Sequence, residues 1–62
     1  MVEKNYHRGI RTGFGCKVDE DMHGGPHGTI LTAYYECDGI KQAAETALEL
    51  LDSNYEVTIF SG

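Results

Sequence analysis

His23 and His27, set four residues apart in the stretch DMHGGPHGTI, have the plainest capacity for chemistry in this chain. Two imidazoles at that spacing can share a metal ion, and Cys16, Cys37 or His7 could complete a tetrahedral shell. The same stretch holds Gly24, Gly25 and Gly28, whose backbone amides could cradle an anion, with His23, His27, Arg8 and Arg11 adding positive charge. Each reading meets an objection. The segment GFGCKV after Thr12 lacks the third glycine of a dinucleotide-binding loop, leads into no helix, and is followed by no Gly-Lys-Ser/Thr. Asp19, Glu20 and Asp21 repel phosphate and lack the spacing of a calcium loop. A hairpin turn accounts for the three glycines and Pro26 with the fewest demands, because glycine supplies positive φ and proline fixes one residue of the turn. No metal and no cofactor is therefore expected.

Catalysis fares no better. Cys16 with a histidine is the one nucleophile and base pair that suggests itself, and so small a chain has little room for a cleft of roughly 300 Å³ unless subunits build it together. The expectation is a protein that is not an enzyme.

The elements that position these residues follow from periodicity. In GIKQAAETALELLD, residues 39–52, Ile40, Ala43, Ala44, Ala47, Leu48 and Leu51 recur at helical spacing and predict one apolar stripe. Asp38 stands where an N-cap is wanted, and Ser53-Asn54 supplies the stop, since Asn tolerates the left-handed conformation. Lys41, Gln42, Glu45, Thr46, Glu49 and Asp52 fall to the outer face. Alternation in YEVTIF (55–60), TILTAYYEC (29–37) and the segment from Ile10 to Val18 predicts three strands. Pairing that puts both apolar faces on one side sets Val18 opposite Leu31, Cys16 opposite Ala33, Phe14 opposite Tyr35 and Thr12 opposite Cys37. That register keeps the cysteines apart, so they read as buried thiols.

The predicted fold is α+β, a three-stranded sheet with one helix on one face, in the order strand, strand, helix, strand. The first strand stands either in the centre or at an edge. Residues 1–62 form a single domain, with 1–8 read as a flexible N-terminus. The far sheet face would carry Ile30, Tyr34 and Phe60, an apolar patch that a target or a second copy would cover. So short a chain hides only about 60% of its unfolded surface, which makes a homodimer the expected state.

Charge narrows the partners. Residues 1–17 hold Lys4, Arg8, Arg11 and Lys17 against Glu3, whereas the other acids follow with Lys41 the only cation, for a net charge of −5. That balance opposes direct nucleic-acid binding and suits docking on a basic protein surface. No apolar run approaches the roughly 20 residues that span a bilayer. The N-terminal sequence has no secretory apolar core, so a reducing cytoplasm is expected.

The segment YYECDGIKQAAETALELLDSNYEVTIF, Tyr34 to Phe60, resembles in architecture a class of small phage-encoded anti-defence inhibitors, anti-CRISPR proteins among them: a strand, an acidic or Gly/Ser corner, an Ala-rich helix and a closing strand. The resemblance covers less than half of the chain and transfers no motif. It implies a stoichiometric inhibitor acting in a host cytoplasm on a nucleic-acid-binding defence complex. In that reading Glu45, Glu49 and Asp52 offer charge, and Tyr34, Tyr35 and Phe60 offer anchors. The alternative is an oligomeric sponge for an anionic nucleotide, built from residues 8–28 through Arg8, Arg11, His23 and His27.

Overall fold

The computed structural model of the chain describes residues 1–22 and 28–62. Among the described residues four strands and one helix follow in the order β1 (Glu3–Asn5), β2 (Phe14–Met22), β3 (Thr29–Glu36), α1 (Ile40–Asp52) and β4 (Val57–Ser61). The strands make one sheet, ordered β1-β3-β2-β4, with every neighbouring pair antiparallel. The α+β class and the helix on the sheet are as expected. The number of strands is not: the sheet has four, because Glu3, Lys4 and Asn5 pair with Glu36, Tyr35 and Tyr34 on the outer side of β3. Three residues with no apolar alternation give no periodic signal. Their pairing comes from the open backbone of β3, which a polar strand can satisfy as well as an apolar one.

The first predicted strand is the central one, between β3 and β4, but its bounds move toward the C-terminus. Ile10 lies outside the strand, Arg11 to Gly13 bend, and β2 runs on through Asp19, Glu20 and Asp21 to Met22. Those acids stay in the sheet because Thr32, Leu31 and Ile30 lie opposite them. The register also slips by two residues, so that Cys16 faces Tyr35 and Val18 faces Ala33. A slip of two keeps every side chain on its expected face, where a slip of one would have inverted them.

Small residues decide how the helix sits. Ala43, Thr46, Ala47 and Leu50 are its buried positions, and with Cys16, Val18 and Ala33 they line the interface of helix and sheet. The Cys16 Sγ lies 3.2 Å from the Ala43 carbonyl oxygen, an approach that larger side chains on either partner would prevent. Ile40, Ala44, Leu48 and Leu51, expected on the buried stripe, are exposed instead. The helix has rotated so that its alanines, rather than its largest side chains, close on β2.

The C-terminal end of the helix is satisfied locally; the N-terminal end is not. At the C-terminus Asn54 adopts φ 65°, the Asn54 N–H donates to the Leu51 carbonyl and the Tyr55 N–H to the Leu50 carbonyl. This is a Schellman closure with Asn in the left-handed position, and Leu50 and Tyr55 supply its hydrophobic contact. At the N-terminus the expectation fails: Gly39, in extended backbone, is the cap residue and no side chain caps the helix. The Asp38 carboxylate is engaged by the N-terminal ammonium of Met1, while the Gln42 Oε1 accepts the Asp38 N–H at 2.8 Å.

Gly15 marks a close approach between β2 and its neighbours. A Cβ built there would lie 2.2 Å from the Tyr35 carbonyl oxygen and 2.7 Å from the Ile10 Cδ1. Gly15→Ala should therefore force β2 and β3 apart and destabilise the fold by about 1–3 kcal/mol, as overpacking does. Thermal unfolding followed by circular dichroism checks this, and an unchanged midpoint would show that the sheet yields at no cost.

Candidate interaction surface

Three groups of side chains outside the core carry the charge and polarity of the molecule. The first is the outward side of α1. Glu45, Glu49 and Asp52 are all exposed and lie one helical turn apart. The row is badly placed for helix stability. Glu45 and Glu49 are like charges four residues apart, which repel by a few tenths of a kcal/mol. Glu49 and Asp52 occupy the last turn, where the helix dipole presents its negative end, and no basic residue offsets them there. Each such misplacement costs about 0.3–1 kcal/mol. No acid occupies the first turn, where one would stabilise.

The second group lies on the helix-bearing face of the sheet, beside the core, with Glu20, Tyr6 and Tyr35 half-buried and Lys4 exposed. Lys4 of β1 lies 2.8 Å from the Glu20 Oε1. The Tyr35 hydroxyl donates to the same carboxylate at 3.1 Å and the Tyr6 hydroxyl at 3.2 Å. The Lys4 ammonium also sits over both rings, 5.2 Å from the centroid of Tyr6 and 5.3 Å from that of Tyr35. The Lys4 partner, and then Tyr35 and Tyr6, hold Glu20 below the usual carboxylate range against the opposing effect of burial. Glu20 in turn raises Lys4 above the ordinary lysine value, and burial raises Tyr35. These four residues fix β1 to the sheet. Tyr35, expected as a partner anchor, points into this cluster and away from Tyr34 and Phe60, which lie half-buried on the opposite face.

The third group lines an open groove of about 380 Å³, formed by Asp19, Asp21, Ser53, Asn54, Tyr55 and Glu56. Its acidic walls oppose any anionic ligand. Of the residues proposed for an anion, His23 and His27 lie outside the described residues. Arg8 is ion-paired with Glu3, and Arg11 is exposed on the segment between β1 and β2.

The cysteines are buried free thiols, as expected. Burial, with the neighbouring Cys37, pushes the Cys16 thiol up, so it stays protonated and unreactive. Cys37 approaches the Thr46 hydroxyl at 3.7 Å. Among the described residues no group of three His, Cys, Asp or Glu side chains could hold a metal ion, and no helix is long and apolar enough to cross a membrane.

No family model, no characterised protein and no solved structure matches this chain.

The exposure of Glu45, Glu49 and Asp52 on the outer helix face matches the sequence pattern, whereas the Lys4 cluster was missed. Its only signal was Lys4 and Tyr6, two residues apart and so on one face of a short strand, which means little until the partner strand is known.

The Lys4–Glu20 pair generates a pH dependence of defined sign. The carboxyl of Glu20 titrates lower in the folded protein than in the unfolded chain, so its contribution is complete above the ordinary carboxylate range and is lost as pH falls through the lowered value. Lys4, shifted upward, contributes below the ordinary lysine value and ceases to do so only in strong alkali. Glu20→Gln should cost about 1 kcal/mol at neutral pH, a figure reduced by solvent screening around the partly exposed Lys4. Urea unfolding of both proteins should show the gap closing in acid. A gap that persists undiminished in strong acid would refute the linkage.

Proposed function

We propose that this chain is a small acidic binding protein, not an enzyme, which acts by stoichiometric association with a positively charged surface of another protein. The observation that carries this reading is the row Glu45, Glu49 and Asp52. A fold under selection for helix stability alone would place cations in that last turn, whereas here three acids stand exposed in line at a cost to the helix. Charge held against local stability is best explained by a partner that neutralises it, and such complementarity steers encounter and sets specificity.

A surface evolved to hold nucleic acid, such as that of a host defence complex, has the required sign. The architectural resemblance to phage-encoded anti-defence inhibitors points the same way. Tyr34 and Phe60 lie across the sheet from the acidic row, so one flat partner surface cannot touch both groups, and the aromatic pair is assigned no part in this contact. The nucleotide-sponge reading has less support, because Arg8 is paired with Glu3 and the groove beside Asp19 and Asp21 is acidic.

The test separates two acidic surfaces of equal charge. Reversal of Glu45, Glu49 and Asp52 to Lys should lower affinity for a polylysine peptide at least tenfold more than reversal of Asp19, Asp21 and Glu56, as measured by titration at low salt. The helix reversal should also leave the thermal midpoint unchanged or raised, since it corrects the dipole. Equal losses from the two reversals would mean that net charge alone acts, and that the helix row is no docking site.

A further inference from the structure

The two edges of the sheet are unlike. The β1 edge is three residues long and carries Glu3 and Lys4, the charged, short kind of edge that resists pairing with another chain. The β4 edge reads Val-Thr-Ile-Phe-Ser, without charge or proline. Among the described residues no other strand covers its outer side, and β2 alone pairs with it.

The backbone of β4 shows which groups face outward. The Gly62 N–H donates to the Gly13 carbonyl at 2.8 Å. Bonded pairs alternate along an antiparallel ladder, so Phe60 and Thr58 turn their polar backbone toward β2. Val57, Ile59 and Ser61 turn theirs to the open side. An unsatisfied row of this kind is a template for another strand.

Several exposed side chains on the helix-bearing side of that edge are apolar. Ile59 lies opposite Cys16 and so on the helix-bearing face, yet it is 49% exposed. Ile40, Leu48 and Leu51, exposed by 50%, 65% and 51%, share one flank of α1 with Ala44, roughly a quarter-turn from the buried line. The helix packs on β2 and β4 far more than on β3. A flank turned toward β3 would rest on Tyr35 and Tyr6, which instead pack on the core. This flank therefore projects past β4, and the right-handed sense of helical crossovers between parallel strands turns it the same way.

We infer that the β4 edge is a homodimer interface: a second copy of this chain pairs its β4 antiparallel to the first, about a two-fold axis at Ile59, making one continuous eight-stranded sheet. The occupant is a second copy for three reasons. Antiparallel pairing about Ile59 sets Val57 against Ser61 of the partner subunit and returns the same contact on the other side, the self-complementarity of a two-fold interface. The five residues of β4 carry no charge, so two chains of net charge −5 pair this strand without like charges inside it, while it offers a basic partner nothing. The flanks bearing Leu48 and Leu51 approach across the same axis, and Glu45, Glu49 and Asp52 point away from it. The interface stands independently of the acidic docking row.

Sedimentation of the full chain from about 1 µM to about 1 mM should give twice the 6.9 kDa chain mass at the upper end. Ile59→Lys should shift the protein to the single-chain mass with its circular dichroism spectrum retained, and Leu48→Lys should weaken dimerisation at least tenfold. Ile30→Lys, on the opposite face, should leave the dimer intact. Amide hydrogen exchange of the unaltered protein gives a readout free of any folding defect: Val57, Ile59 and Ser61 should be protected in the dimer and lose protection on dilution. A single-chain mass at every concentration, or rapid exchange of those three amides in a dimeric sample, overturns the inference.

Discussion

The close approach of α1 to β2 is the contact on which the other features depend. It exists because Ala43 and Ala47 on the helix meet Cys16, Val18 and Ala33 on the sheet, all residues small enough to let backbone lie near backbone. Bulkier side chains would have raised the helix and left voids, which a core of this size could not tolerate. The rotation that brings the alanines inward turns Leu48 and Leu51 outward. It also carries Glu45, Glu49 and Asp52 to the side farthest from the sheet. Core, apolar flank and acidic row are three consequences of one helical phase.

That phase was only partly legible in the sequence. Periodicity located the helix within a residue or so at each end, but two apolar rows overlap in it, and Leu50 belongs with Ala43 and Ala47 as naturally as Leu51 does with Ile40 and Leu48. Hydrophobicity favours the row with more large residues, whereas packing chose the row with alanines. Strand faces were legible because alternation has a period of two and survives a register slip of two. Strand ends were not: Asp19 to Asp21 look like a loop until Lys4, from the strand beyond β3, is seen to hold Glu20.

The site residues divide along similar lines. Exposure of Glu45, Glu49 and Asp52 follows from the helix pattern alone, so their arrangement could be read directly. Tyr34 and Tyr35 are adjacent and therefore point to opposite faces, yet only the fold shows that Tyr35 closes over an ion pair. A cluster assembled from β1, β2, β3 and the residue after β1 has no linear signature, since its members are neighbours only after the sheet forms.

The two thiols sealed beneath the helix give the molecule an internal clock. Neither sulfur can meet an alkylating reagent while α1 rests on the sheet, and Cys16 is further restrained by its unfavourable ionisation. The pace at which they become labelled thus registers how often the helix lifts away, and anything that clamps the helix from outside must slow it.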